Sequence, residues 1–186
     1  MSTVEKDAVG REQSSAVRAY KRSPALSNSR SYKGIVVSEM AGTADNNGAF
    51  DVVIGKLTRG TEPPPHVHSR EDEFFYVLSG EMKFYVDGEV FLVTAGECMF
   101  CPRLTPHAFR VASEEVQCLT FITPGGFNET INKMNAPAKR MDVANDSDET
   151  YAEIDLTETI KLFAEIGVQF LTPDQISAEM PLYLTA

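Results

Sequence analysis

Glu81-Met-Lys-Phe-Tyr-Val-Asp-Gly-Glu-Val-Phe-Leu-Val-Thr94 reads as a β-hairpin. Two runs rich in β-branched and aromatic residues flank Asp87-Gly88, and a two-residue Asp-Gly loop favours a type I′ turn. That turn sets the register. Val86 falls opposite Glu89, Phe84 opposite Phe91 and Met82 opposite Val93. Opposed residues share a face, so Met82, Phe84, Val86, Phe91 and Val93 form a core face with Glu89 at its edge. The other face carries Glu81, Lys83 and Thr94 beside Tyr85, Val90 and Leu92. Its apolar end is expected to lie under the N-terminal arm or a second subunit, which makes a homodimer the expected assembly.

Outward from the hairpin the same pattern continues. Short runs at Tyr32–Ser38, Phe50–Leu57, Phe74–Leu78, Cys98–Cys101, His107–Val111 and Val116–Thr123 alternate with Gly-, Pro- and Asn-rich turns. Many short strands at this spacing predict an all-β antiparallel sandwich or barrel. Residues 1–30 are polar and read as a flexible or draped arm, 31–135 as the barrel, and 136–186 as a connector and C-terminal helix packed on it. The helix is expected over Leu156–Ile166, with Asp155 and Glu158 resembling a capping box. Leu156, Ile160 and Phe163 share its apolar face, and Gly167 ends it. Val168–Leu171 reads as extended, and Pro173 and Pro181 break up the tail. A further helix is expected over Phe127–Met134.

The chain has 186 residues, of which 42% are hydrophobic, enough for one domain with a substantial core. A net charge of −10 with no basic cluster argues against nucleic acid and against anionic membrane surfaces. No apolar run is long enough to span a bilayer, and the N-terminus lacks a secretory pattern. A cytoplasmic protein is expected. Cys98, Cys101 and Cys118 are odd in number and read as free thiols packed as small hydrophobes.

There are three histidines, His66, His68 and His107. On a strand, residues two apart project from the same side, so His66 and His68 can reach one ion. Pro63-Pro-Pro65 stiffens the approach. Glu73 opens the next strand and points back to the same spot, with Phe75 and Val77 on its face. Glu71 and Asp72 read as solvated residues of the intervening turn. His107 follows a Pro-bounded loop and shares a face with Phe109 and Val111. Three nitrogens and one carboxylate suit a divalent transition ion (Fe, Mn, Co, Ni, Cu or Zn) rather than calcium.

The first segment resembles the first motif of the cupin superfamily, G-x5-H-x-H-x4-E-x6-G, at Gly60, His66, His68, Glu73 and Gly80. The second motif, G-x5-P-x-G-x2-H-x3-N, is matched at Gly96, Pro102 and His107, with Leu104 in place of glycine and Val111 in place of asparagine. The resemblance covers about residues 31–124 and implies a single jelly-roll barrel. Finer phrases, Pro-Pro-Pro-His-Val-His and Thr-Pro-Gly-Gly-Phe among them, are similar to small quercetinase-like cupins. That likeness implies a metal-dependent dioxygenase opening the ring of a flavonol or related enolic aromatic with O2. In that reading His66, His68, Glu73 and His107 hold one divalent ion, Glu73 also serves as base, and Phe75 and Phe109 wall the substrate. Two alternatives stand beside it: a lyase, isomerase or decarboxylase working through an enolate, and a non-catalytic small-molecule-binding cupin.

Overall fold

The computed structural model describes residues 17–32, 34–143 and 156–185. Two antiparallel sheets face each other in an all-β jelly-roll barrel. The strands are β1 (Ser29–Tyr32), β2 (Ile35–Ala41), β3 (Asp51–Thr58), β4 (His66–His68), β5 (Asp72–Ser79), β6 (Glu81–Val86), β7 (Glu89–Thr94), β8 (Cys98–Cys101), β9 (His107–Val111), β10 (Glu115–Thr123), β11 (Ala136–Pro137) and β12 (Val168–Phe170). One sheet runs β11-β1-β2-β3-β10-β5-β8 and the other β12-β4-β9-β6-β7. The helices are α1 (Thr43–Asn46), α2 (Phe127–Met134), α3 (Leu156–Glu165), α4 (Pro173–Glu179) and α5 (Pro181–Leu184). Among the described residues no helix is long and apolar enough to cross a membrane.

The hairpin has the expected register, with Met82 opposite Val93, Phe84 opposite Phe91 and Val86 opposite Glu89. Asp87 and Gly88 both take positive φ, 53° and 74°, as a type I′ turn requires. Met82, Phe84, Val86 and Val93 join Phe75, Val77, Phe109, Val111 and Val116 in the core between the sheets. Phe91 departs from the expectation and is exposed, because β7 is the outer strand of its sheet and only Val93 on it is buried.

Other readings are corrected as well. The run Tyr32–Ser38 is two strands, broken by a turn at Gly34 with φ 79°. Of the apolar end of the other hairpin face, Tyr85 is covered by the tail, with Leu171, Met180 and Tyr183 packed on it, while Val90 and Leu92 are exposed. Pro173 and Pro181 do not disrupt the tail. Each opens a helix at its first turn, where the missing N–H costs nothing. Thr172 caps α4, accepting from Gln175 N at 3.3 Å while Gln175 Oε1 accepts from Thr172 N at 2.9 Å. Ile160 on α3 is exposed, whereas Phe163 is half-buried as expected and Leu162 joins it. The Asp155 cap lies outside the described residues. Gly167, at φ 88°, ends α3 as expected.

Residues 17–28 of the expected arm lie along the first sheet. Arg22 Nη1 meets Asp45 Oδ2 at 2.7 Å and Tyr20 Oη donates to Met40 O at 2.9 Å. Asp51 ties the barrel to α2. Its Oδ2 accepts from the backbone N–H of Gly126 and of Asn128, both at 2.9 Å.

Candidate metal centre

Three strands and one sheet crossing bring the expected ligands together. His66 and His68 alternate inward on β4, and His107 opens β9 directly opposite His66. Glu73 faces them from β5 of the other sheet, with Phe75 and Val77 inward on the same strand face. One ligand atom from each of His66, His68, Glu73 and His107 lies within 4.8 Å of the others, and all four side chains are buried. These four residues form a potential metal site.

Hydrogen bonding decides which nitrogens face inward. His66 Nδ1 lies 2.8 Å from Pro64 O and His107 Nδ1 lies 3.0 Å from Thr105 O. A carbonyl only accepts, so both Nδ1 atoms carry the proton. His68 Nδ1 lies 3.2 Å from Glu71 Oε2, a carboxylate that also accepts. Each Nε2 is then left with a lone pair directed at the shared space. His68 Nε2 is buried and has no hydrogen-bond partner, and Glu73 Oε2 is 3.5 Å away. His107 Nε2 and Glu73 Oε2, two acceptor atoms, lie 2.9 Å apart. Such a contact needs a positive charge between its atoms, from a proton or a cation. Buried lone pairs converging with one carboxylate fit a divalent transition ion.

The electrostatics agree. Burial would raise the Glu73 carboxyl, but the His107 hydrogen bond and the surrounding imidazoles outweigh it and hold the pKa at about 2. Burial, reinforced by His107, lowers His66 to about 3, so it stays neutral as a ligand must. Burial also opposes charge on His107, but the Glu73 carboxylate 2.9 Å from its Nε2 wins and raises it, so the proton that this pair favours is the one a bound cation would displace.

Glu71 was misread by sequence. It is 2% exposed, not solvated, and holds the outer nitrogen of His68. The i to i+3 spacing from His68 was the available signal. Asp72 is also engaged. It takes Arg103 Nε at 3.0 Å and Nη2 at 2.7 Å, with Arg103 N on Oδ1 at 2.9 Å. This clamp ties the start of the Glu73 strand to the loop leading to His107. It holds the Asp72 carboxyl at about 2.

Phe75 and Phe109, the expected substrate wall, pack with Phe84 in the barrel core, at centroid distances of 5.1, 5.8 and 5.7 Å. Two other phenylalanines stand against the imidazoles. Phe127 of α2 lies 5.2 Å from His68 and Phe170 of β12 lies 6.1 Å from His66. Phe163 of α3 joins them, at 5.9 Å from Phe127 and 5.2 Å from Phe170. β12 also pairs with β4, placing Val168 opposite His68 and Phe170 opposite His66. The tail is thus built onto the ligand strand. Sequence reading missed this because tertiary pairing, not local pattern, brings it there.

A jelly-roll barrel with a three-histidine, one-glutamate cluster facing its interior is the architecture of a metal-site β-barrel. Residues 53–123, which carry all four of these side chains, match the family described as Cupin domain. It is 29% identical over 90 residues to quercetin 2,3-dioxygenase of Bacillus subtilis (strain 168), across 48% of this chain and 27% of that protein. It is 33% identical over 64 residues to an uncharacterized protein of Aquifex aeolicus (strain VF5), across 34% of this chain and 53% of that one. The chain therefore spans only about a quarter and about half of these relatives' lengths. Among solved structures, KdgF from Halomonas sp. is similar at TM-score 0.47 and 24% identity, over 52% of this chain and 84% of that one. An RmlC-like cupin from Shewanella frigidimarina NCIMB 400 gives TM-score 0.46 and 22% identity, over 53% and 83%.

Proposed function

We propose that the chain is a metal-dependent dioxygenase, quercetinase-like, that opens the ring of a flavonol or related enolic aromatic with O2. The carrying observation is the set of inward Nε2 lone pairs of His66, His68 and His107 beside the ionised Glu73. The partial likeness to quercetin 2,3-dioxygenase supports the choice of reaction. A bound divalent ion would supply a centre that favours an enolate oxygen and lowers the pKa of its hydroxyl. Glu73, ionised and adjacent to the imidazoles, is placed to accept the hydroxyl proton. Phe75 and Phe109 form the apolar floor on the strand faces of Glu73 and His107. Phe127 and Phe170 stand beside the imidazoles and offer ring faces to a planar substrate.

The exposed apolar row of Phe74, Tyr76, Leu78 and Phe100 on the outer face of β5 and β8 supports a homodimer. The free thiols of Cys98, Cys101 and Cys118 suit the reducing cytoplasm.

Oxygen uptake by metal-loaded protein offered flavonols and enolised diketones tests the reaction. Substrate-dependent uptake that disappears in Glu73→Gln is expected. Turnover that proceeds equally without oxygen sinks the dioxygenase reading in favour of other enolate chemistry.

A further inference from the structure

A cavity of about 560 Å³ lies away from the metal centre, bounded by the outer face of the β6–β9 pair, the loop after β3, and α5. That volume falls within the usual range for small-molecule sites, about 300–1,000 Å³. We propose that it binds a small organic oxyanion, a carboxylate or phosphate carried on a compact apolar body.

The charges point to an anion. Arg59, Lys83 and Arg110 all line this one cavity in a chain of net charge −10. Lys83 and Arg110 are direct cross-strand partners, a like-charge placement that destabilises a sheet unless an anion offsets it. None of the three belongs to an ion pair among the described residues. The one acid in the wall, Glu62, is already engaged. Its Oε1 accepts from Val111 N at 2.7 Å and its Oε2 from Gly60 N at 2.8 Å.

The cations are also held in place. Arg59 Nη2 donates to Ala112 O at 2.6 Å and Arg110 Nη2 donates to Tyr183 O at 3.2 Å. Each guanidinium has further N–H donors beyond these, in the fork geometry that suits an oxyanion. The Arg110 guanidinium carbon sits 4.4 Å over the Tyr183 ring, and Tyr85 meets that ring edge-on at 5.3 Å. Two buried polar atoms here have no hydrogen-bond partner: Arg110 Nε and the hydroxyl of Tyr85, a residue only 2% exposed. Unpaired buried donors are costly in a finished fold, and these two border the cavity wall. The two tyrosine rings supply the surface for the ligand's apolar body.

The test is titration of the metal-loaded protein with benzoate, phenyl phosphate and inorganic phosphate at low ionic strength, read by calorimetry and by backbone amide shifts. Saturable binding of benzoate or phenyl phosphate is expected, tighter than inorganic phosphate, with shifts on Lys83, Arg110 and Tyr183. Lys83→Met weakens it about tenfold, since a charged hydrogen bond is lost, and Arg110→Met weakens it at least as much. Lys83→Met removes a side chain that holds no ion pair, so its fold is expected to survive if Arg110→Met does not. His66→Ala and metal-stripped protein retain the binding, which separates this cavity from the metal centre. No saturable binding of any probe overturns the proposal. So does binding that survives Lys83→Met and vanishes with His66→Ala. Inorganic phosphate binding as tightly as phenyl phosphate overturns the organic body.

Discussion

Glu71 Oε2 lies 3.2 Å from His68 Nδ1, and both side chains are essentially sealed from solvent. A carboxylate on the outer nitrogen of a ligating histidine fixes the tautomer and raises the basicity of the inner nitrogen. Removing such a partner typically lowers metal affinity about 10–100-fold. Glu71→Ala is expected to fall in that range, and Glu71→Gln, which keeps an acceptor, to lose less. Competition against a chromogenic chelator measures both. Wild-type affinity in Glu71→Ala would show that the contact does not orient His68.

Metal removal gives a second expectation. An ion that binds only the folded chain stabilises it by about 2.7 kcal/mol when its free concentration is a hundred times Kd. Chelation is expected to lower the Tm of the purified protein, and re-addition to restore it. The two treatments should be indistinguishable in His68→Ala, where the inner nitrogen with no protein hydrogen bond has been deleted. Elemental analysis of native and His68→Ala protein provides the independent check. Equal metal content in the two would remove His68 from the ligand set.

Much of the centre was legible because its determinants are local. Two-residue spacing on a strand put His66 and His68 on one face, and the Asp87-Gly88 turn dictated the hairpin register residue by residue. What escaped was set by distant chain. Glu71 looked solvated because Ser69–Asp72 is a polar turn, yet the turn folds inward over His68. Tyr85 was expected under the N-terminal arm or a second subunit because nothing local reveals that Met180 and Tyr183 return to cover it. Phe127, Phe163 and Phe170 come from three separate elements and meet only once β12 has paired with β4.

Asp51 carries a pH prediction. It is fully buried, and burial pushes its carboxyl pKa up against the pull of the Asn128 and Gly126 N–H groups. The folded chain therefore holds the Asp51 proton more tightly than the unfolded one, whose value is about 3.9. The contribution of this group to stability falls as pH rises from there through the folded pKa. Asp51→Asn keeps an oxygen for both N–H groups and removes the charge. Relative to the parent it is expected to gain stability across that window. Asp51→Ala leaves both donors unpaired and is expected to cost about 1–3 kcal/mol at every pH. Urea unfolding at a series of pH values decides. If Asp51→Asn is as unstable as Asp51→Ala at neutral pH, the charge itself holds the start of α2.

Leu104 stands where the cupin motif has glycine, and the backbone shows what the departure costs. Its φ is 66°, in the left-handed region, which is unfavourable for a side-chain-bearing residue by about 1–2 kcal/mol. The side chain recovers little, being 71% exposed. The backbone here matters to the site, because Leu104 N donates to His68 O at 2.7 Å and the next residue, Thr105, bonds His107 Nδ1. Leu104→Gly relieves the strain while giving up about 0.5–1 kcal/mol to the greater freedom of unfolded glycine. The balance favours the variant by up to about 1.5 kcal/mol, since the strain is the larger of the two costs. Metal affinity is expected to stay unchanged, because the loop needs only its backbone path and its flanking Pro102 and Pro106 to present His107. Urea unfolding reads the first expectation and chelator competition the second. A variant that is less stable, or that binds metal more weakly, would mean that the Leu104 side chain holds the loop in place.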